Sequence, residues 1–485
     1  MSLGSRRRRQ RQKDLFLTAS DLPRSAAHPF YSKLNALLDE HGFDAHAEKL
    51  CAPFYAETLG RPSLAPGVYF RCLLIGYFEG LDSERAIAWR IADSLSLRRF
   101  LDYELDETTP DHSTLSRTRR RLDLEAHRAV FGWALALLTR EGLLAGGTVA
   151  VDATTLEANA ALRSLVRRDT GEGYEEYLRR LARESGIETP TREQLAKIDK
   201  KRKNKASNKD WKHPGDPDAR VTKMKDGRTH LAHKAEHAVD LETGAIVAVT
   251  LEGADQGDTT TIEQTLTEAA EQLEAASEET QSGDEKVEQV SEVIADKGYH
   301  SNAVLTDLKA LEIRSYISEP DHGRRNWKGK EQEKAAVYGN RRRLCGRRGK
   351  GLLRLRGERV ERSFAHCYET GGMRRVRLRG RRNILKRLLV HVAAFNLSLA
   401  MRKLTGAGTP RGLADALAVS GVLQAALAAV LAVLADDSSA FGWRWRARPS
   451  IRLAPPSIPP FAIAARKSLL LPRADSFESR RNSAC

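Results

Sequence analysis

The sequence predicts an α/β protein: a mixed sheet flanked by helices, preceded by an all-α region of helix-turn-helix-like outline. Three observations carry this. Up to about residue 144 apolar residues recur at helical spacing, as in Tyr69, Cys72, Leu73, Gly76 and Tyr77. Gly146-Gly147 breaks that pattern, and Thr148-Val-Ala-Val-Asp-Ala-Thr-Thr155 is rich in β-branched residues, as a strand requires. Beyond it, the order strand, hairpin, helix, strand, helix describes three layers with the sheet in the middle.

In chain order, residues 1–13 read as a disordered basic arm with Arg6 to Arg9 contiguous. Residues 14–145 form a helical DNA-binding domain. Pro66-Gly67 marks a helix entry, and Asp82 or Ser83 caps the next run. Thr109-Pro-Asp-His-Ser113 then starts a helix bearing Arg117, Arg119, Arg120 and Arg121, in the place of a recognition helix. Residues 146–405 form the catalytic domain, with a charged insertion at about 160–225. Inside it, 174–183 and 192–203 read as helices and 204–219, with its Pro214-Gly-Asp-Pro217 turn, as a loop. Residues 229–239 and 245–251 make a hairpin around Glu242-Thr-Gly244. A helix follows at 259–276, capped by Asp258 or Thr259, and then a buried strand at 290–295. Residues 406–485 are a helical segment and an irregular tail.

Composition narrows the partners. Across 485 residues, 80 Lys plus Arg face 64 Asp plus Glu, giving a net charge of +16. That balance points to a polyanion, nucleic acid before an anionic membrane. Cys51, Cys72, Cys345, Cys367 and Cys485 are scattered without a Cys-x-x-Cys pair, which argues against a disulfide framework or zinc ribbon and suits a reducing cytoplasm. No apolar run follows the basic N-terminus, so no secretory signal is read there. Residues 416–435 carry no formal charge over a membrane-spanning length, but they are Ala-rich and include Ser420, Gly421 and Gln424. A helix at a partner or oligomer interface is expected there, with no membrane partner.

Three carboxylates stand where charge needs a reason. Asp152 sits inside the apolar run Val149-Ala-Val-Asp152, and Asp296 closes Val293-Ile-Ala-Asp296. Glu361 lies beside the helical stripe Val360, Phe364, Cys367. A charge in an apolar strand is costly unless it meets a metal or partner. Two aspartates and a glutamate offer hard oxygen donors for two Mg2+ ions, with Mn2+ able to substitute. Such ions, about 3.5–4 Å apart, flank a scissile phosphate and serve nucleophile and leaving group. The plainer alternative is that each acid is capped or ion-paired.

Between 340 and 387 there are eighteen Arg or Lys against three Glu. A phosphate-tracking surface beside the acids is expected, against the alternative of a solvated basic face. Its candidate DNA-binding residues are Arg341, Arg342, Arg343 and Arg362, together with Lys297 and the four arginines of the N-terminal helix. His230, His233 and His237 alternate along a strand, which disfavours zinc; His233 and Lys234 are placed beside the acids instead. Asp258 is read as a helix N-cap in preference to a further site acid. Trp211 and Trp327 lie in basic loops where an aromatic ring can stack on an unpaired base.

Four stretches resemble the bacterial insertion-sequence transposases of the DDE type: Val149-Ala-Val-Asp-Ala-Thr-Thr-Leu-Glu157, His233-Lys-Ala-Glu-His-Ala-Val-Asp240, Ala295-Asp-Lys-Gly-Tyr-His-Ser301 and Arg359-Val-Glu-Arg-Ser-Phe-Ala-His366. Thr109-Pro-Asp-His-Ser-Thr-Leu115 resembles the end of the helical domain in front of their catalytic domain. The resemblance covers roughly residues 15 to 410; nothing from about 436 onward shares it. It implies an RNase H-like catalytic domain whose metal triad falls on Asp152, Asp296 and Glu361. Some relatives also carry a spaced Tyr-Arg-Glu-Lys signature; the corresponding positions here are Arg354, Gly357 and Tyr368. Glu358, four residues after Arg354, therefore stays a rival third ligand. The implied activity is metal-dependent cleavage at transposon ends and strand transfer into target DNA. A nuclease without strand transfer and a non-catalytic DNA-binding relic are the alternatives. The implied partners are double-stranded DNA, as terminal repeats and as target, and further copies of the chain in synapsis, on DNA in a bacterial cytoplasm.

Overall fold

The structure is a computed structural model that describes residues 27–56, 63–202, 207–224, 227–278, 287–321, 323, 325–416 and 418. Seven helices come first: α1 (Pro29–Glu40), α2 (Phe43–Cys51), α3 (Pro66–Phe78), α4 (Glu84–Ala92), α5 (Leu95–Phe100), α6 (His112–Arg121) and α7 (Leu124–Arg140). Their starts are set by local chemistry. Pro29 and Pro66 open α1 and α3, where no amide hydrogen is needed. Ser83, and not Asp82, caps α4 by accepting from the Ala86 amide at 3.2 Å. Asp111 caps α6 through the Thr114 amide at 2.8 Å, and Asp123 caps α7 through Ala126 at 2.7 Å. α3 is buried nearly all round, and its Arg71 is held by Asp39 and Asp44.

The sheet begins with β1 (Gly146–Glu157), two residues longer at each end than the β-branched run alone suggests. Gly146 and Gly147 both have positive φ, and a Cβ on Gly146 would lie 2.0 Å from the Glu288 carbonyl oxygen. The insertion supplies β2 (Val166–Arg167), α8 (Tyr174–Glu184), α9 (Arg192–Lys201), β3 (Trp211–Lys212) and β4 (Arg220–Lys223). The hairpin is β5 (Thr229–Asp240) and β6 (Ile246–Gly253); α10 (Asp258–Glu278) leads to β7 (Glu288–Ala295). Then come α11 (Asn302–Ala310), β8 (Arg314–Ile317), α12 (Glu331–Cys345), α13 (Arg347–Phe364), a π-helical turn at Ala365–Thr370 and α14 (Arg381–Thr405). Four-residue β8 has no signal in the apolar pattern, because it starts on a charge and is too short to alternate.

β1 is central. It runs antiparallel to β5 and parallel to β7, which in turn runs parallel to β8. The far side of β5 is shared by β4 and β6, end to end. Three antiparallel strands followed by two parallel ones, with helices on the faces, is the RNase H-like arrangement. Both outer edges are closed by asparagines. Asn396 of α14 accepts from the Ile246 amide at 2.9 Å and donates to its carbonyl at 2.8 Å. Asn340 of α12 does the same for Ile317, at 3.0 and 2.8 Å. Each side chain thus replaces a missing strand.

One apolar core runs through both the helical region and the sheet, with α7, α3 and β6 packed on α14. The stretch Arg381–Ala416 is apolar enough to cross a membrane, yet 94% of its apolar window is buried, so the core accounts for its composition. The uncharged 416–435 stretch, the basic arm and the tail fall outside the described residues, apart from residues 416 and 418. The insertion has a small core of its own, where Ala158, Leu165, Ala219 and Leu231 surround Trp211. Trp211 is 2% exposed, with its ring against Tyr174 and Tyr177, so it is core and unavailable to a base.

Three buried histidines are held neutral. His127 accepts from the Tyr69 hydroxyl at 3.1 Å and donates to the Asp123 carbonyl at 2.7 Å. Burial holds His127 down to about 4, and His237 and His391 to about 3. Between these values and the ordinary imidazole range, the unfolded chain binds protons that the fold refuses. Stability measured by urea unfolding should therefore hold from pH 8 to about 6.5 and fall towards pH 4, by roughly 3 kcal/mol for His127 alone. A flat profile across that window would contradict the assignment of neutral imidazoles.

Candidate active site

Two of the three sequence-predicted acids meet. The parallel register pairs Ala150 with Ile294; Asp152 lies two residues further along β1, and Asp296 follows the last residue of β7. Asp152 accepts from Arg356 of α13 at 2.7 Å and from the Ala153 amide at 2.8 Å. Burial pushes its carboxyl above the usual range; Arg356 and the amide pull back, and Asp296 and Asp258 push it further up.

The turn after β7 explains why Asp296-Lys-Gly-Tyr299 has these residues. Asp296 Oδ1 accepts from the Gly298 amide at 2.8 Å, closing a single 3-10 turn. Lys297 points outward, exposed. Gly298 has no room for a side chain: its Cβ would lie 2.5 Å from Asp258 Oδ2 and 3.0 Å from Asp296 Oδ1. Tyr299 is fully buried and donates its hydroxyl to Glu236 at 2.9 Å.

Glu236, 1% exposed in β5, anchors the floor of the site. Besides Tyr299 it accepts from Thr261 at 2.7 Å and Thr265 at 2.5 Å, both on α10, and pairs with Lys234 at 3.2 Å. Lys234 also donates to Thr261 at 2.8 Å and pairs with Asp258 Oδ1 at 2.7 Å. Asp258 thus turns its carboxylate to Lys234 and the turn after β7, not to its own helix amides. Sequence reasoning placed Lys234 beside the acids and weighed Asp258 as a further site acid; it missed Glu236 as their common partner, because a glutamate in a strand that also carries three histidines and an aspartate does not stand out.

The helix that should bring the third acid brings arginines to the sheet. α13 is tied down by Arg348 to Glu292 at 2.5 Å, by Arg356 to Asp152, and by Ser363, which accepts from His237 at 2.9 Å. Val360, Phe364 and Cys367 are buried, as the stripe predicts. Glu361 lies about 140° around the helix from Arg356 and Glu358 about 160°; both are exposed, and Glu358 pairs with Arg362 at 2.9 Å. Tyr368, seven residues beyond Glu361, points inward and donates to His237 at 2.6 Å. His233 is likewise turned away from the acids, bonded to buried Asp216 at 3.1 Å. His230 lies 3.8 Å from Glu157, so the three histidines do not converge.

The candidate DNA-contacting arginines divide in two. Arg119 is buried and paired with Glu84, while the carbonyls of Arg119 and Leu122 at the end of α6 accept from Lys386 of α14. Arg341 is paired with Glu319 at 2.6 Å, and Arg343 donates to Ser315 at 2.9 Å. Arg117, Arg120, Arg121 and Arg342 are exposed. Half-buried Trp327 lines an open pocket of about 350 Å3 with His300, Asn302, Arg325 and Lys330, beyond the turn that holds Asp296.

Carboxylate oxygens without sulfur or imidazole suit a hard divalent cation, and a buried carboxylate such as Asp152 needs a cation or a substitute. No three His, Cys, Asp or Glu side chains among the described residues already converge as a metal site. On Asp152 the substitute is Arg356. Arg356→Met should therefore lower the melting temperature in chelator and enlarge the rise that Mn2+ produces, because the guanidinium no longer competes. An unchanged response to Mn2+ would refute this. Gly298→Ala should weaken that response, since the carboxylate ends of Asp258 and Asp296 must shift to admit the methyl group.

Two family profiles match the chain. The transposase DDE domain matches residues 147–397, and the transposase domain (DUF772) matches residues 20–121. No curated protein and no solved structure matched.

Proposed function

Because the chain belongs to the DDE transposase family, we propose that it cleaves DNA at the ends of a transposable element and joins the freed ends to target DNA. The observation that carries this reading is the proximity of Asp152, in β1, to Asp296, the first residue after the parallel strand β7, close enough that Asp296 helps to raise the Asp152 carboxyl.

In the first step a water oxygen attacks the phosphorus at the element's end, the bond to the 3′ oxygen breaks, and that oxygen leaves as a hydroxyl. In the second, this 3′ hydroxyl attacks a target phosphorus and displaces the target's own 3′ oxygen. One phosphodiester replaces another, so no nucleotide cofactor is consumed. Asp152 and Asp296 would hold Mg2+, two ions in all, with Glu361 as the third acid. Bound divalent cations supply charge neutralisation at the phosphate and a more acidic nucleophile. Arg356 would have to yield Asp152 to a bound cation, and Glu361, exposed on α13, would have to be brought to the pair.

Arg117, Arg120 and Arg121 on α6, with Lys297, Arg342 and Arg362 around the acids, are the proposed phosphate contacts; they position DNA without reading its sequence. Joining two ends requires two active centres, which makes a dimer or larger assembly the working form. The setting is the bacterial cytoplasm.

The test is Mg2+-dependent nicking and joining of the element's own end DNA. Asp152→Asn and Asp296→Asn should each lose at least about a hundred-fold in nicking rate, as removal of direct transition-state stabilisation does. Glu361→Gln should fall with them and Glu358→Gln should not; the reverse would give Glu358 the third place. Nicking without joining would mark a nuclease. DNA binding without any cleavage would mark a relic.

A further inference from the structure

Asp258 is the acid that neither the DDE pattern nor its place at a helix start explains. Its Oδ1 is 2.7 Å from the Lys234 ammonium, which is 5% exposed and also bound by Thr261 and Glu236. Its Oδ2 faces the other way. It and Asp296 Oδ1 lie within 3.0 Å of one point, the position that a Gly298 Cβ would take. Both oxygens thus flank Gly298, where a methyl group would press on each of them. Asp258 is also close enough to push up the Asp152 carboxyl and the Tyr299 phenol.

Simple helix capping does not account for this arrangement. A capping aspartate turns its oxygens to the amides of the first turn; Asp258 gives one to the Lys234 ammonium and holds the other beside Gly298, which Asp296 also flanks. Two acids on either side of one glycine repel each other unless a cation comes between them. Lys234 neutralises Glu236 and Asp258 only in part, since one ammonium stands against two carboxylates, and Asp296 has no cationic partner among the described residues.

From this we infer that Asp258 is a further ligand of the catalytic centre, contributing Oδ2 to the divalent cation held by Asp296, and that Lys234 is a positioning residue that fixes Asp258 for this role. The inference rests on the metal reading above. Lys234 reaches the cation only through Asp258: it selects the rotamer of Asp258 and secures it to Glu236 and Thr261 in the floor. Supporting side chains of this kind typically change metal affinity ten- to a hundred-fold.

The full-length chain can be titrated with Mn2+ by calorimetry, in the absence of DNA, with melting curves recorded for every variant. Asp258→Asn should raise the Mn2+ dissociation constant at least about ten-fold while leaving the metal-free melting temperature near that of the parent, because Asp258 is partly exposed. Lys234→Met should weaken Mn2+ binding similarly. The double variant should bind no more weakly than Asp258→Asn alone, because a residue acting through Asp258 has nothing left to position. Asp296→Asn is the control. If it binds Mn2+ as the parent does, or if the parent binds none, the metal reading itself fails. If Asp296→Asn weakens binding and Asp258→Asn does not, only the present inference fails. Losses that add in the double variant would reduce Lys234 to a structural residue. Should Lys234→Met not fold, Asp258→Asn alone decides the ligand.

Discussion

A carboxylate buried in the middle of a β-sheet constrains this fold more than any other group. Glu236 is almost wholly withdrawn from water, and its charge is tolerable only with donors on every side. Those four donors come from three places: Lys234 on its own strand, Thr261 and Thr265 on α10, and Tyr299 after β7. Satisfying one acid therefore fixes the helix that carries Asp258 and the turn that carries Asp296. The chemistry at the surface of the site is set by a hydrogen-bonding requirement beneath it.

Electrostatics govern the opposite wall. α13 lies on the sheet through Arg348 and Arg356, each bonded to an acid of the sheet. The acids of the sheet on this side are thus answered by guanidinium groups. Arg119, Arg341 and Arg381 answer acids of the fold itself, so the net charge of +16 is carried by other residues. Arg377 of the segment before α14 even reaches back to Asp82 at 2.8 Å, tying the catalytic half to the helical region.

Much was legible in order. The helical region, β1, the β5–β6 hairpin, α10, β7 and the buried stripe of α13 follow from the spacing of apolar residues, because periodicity reports which face is buried. Asp152 and Asp296 stood out for the same reason: each interrupts an apolar strand. The short strand β8 and the small core around Trp211 did not. Both are made by contacts between distant segments, and a tryptophan in a basic loop has the same local sequence whether it is buried or free.

The sequence by itself determined the layers, the family pattern and the two aspartates, since these depend on residue type and local spacing. Only the tertiary structure decided which charge faces which. It set Arg356 on Asp152, with Glu361 on the outer face of α13, because a helix's rotation is fixed by its packing partners and not by its own periodicity alone. It also turned Asp258 from its helix end towards Asp296. A buried lysine on another element, Lys234 of β5, holds it there, and nothing in linear spacing records that.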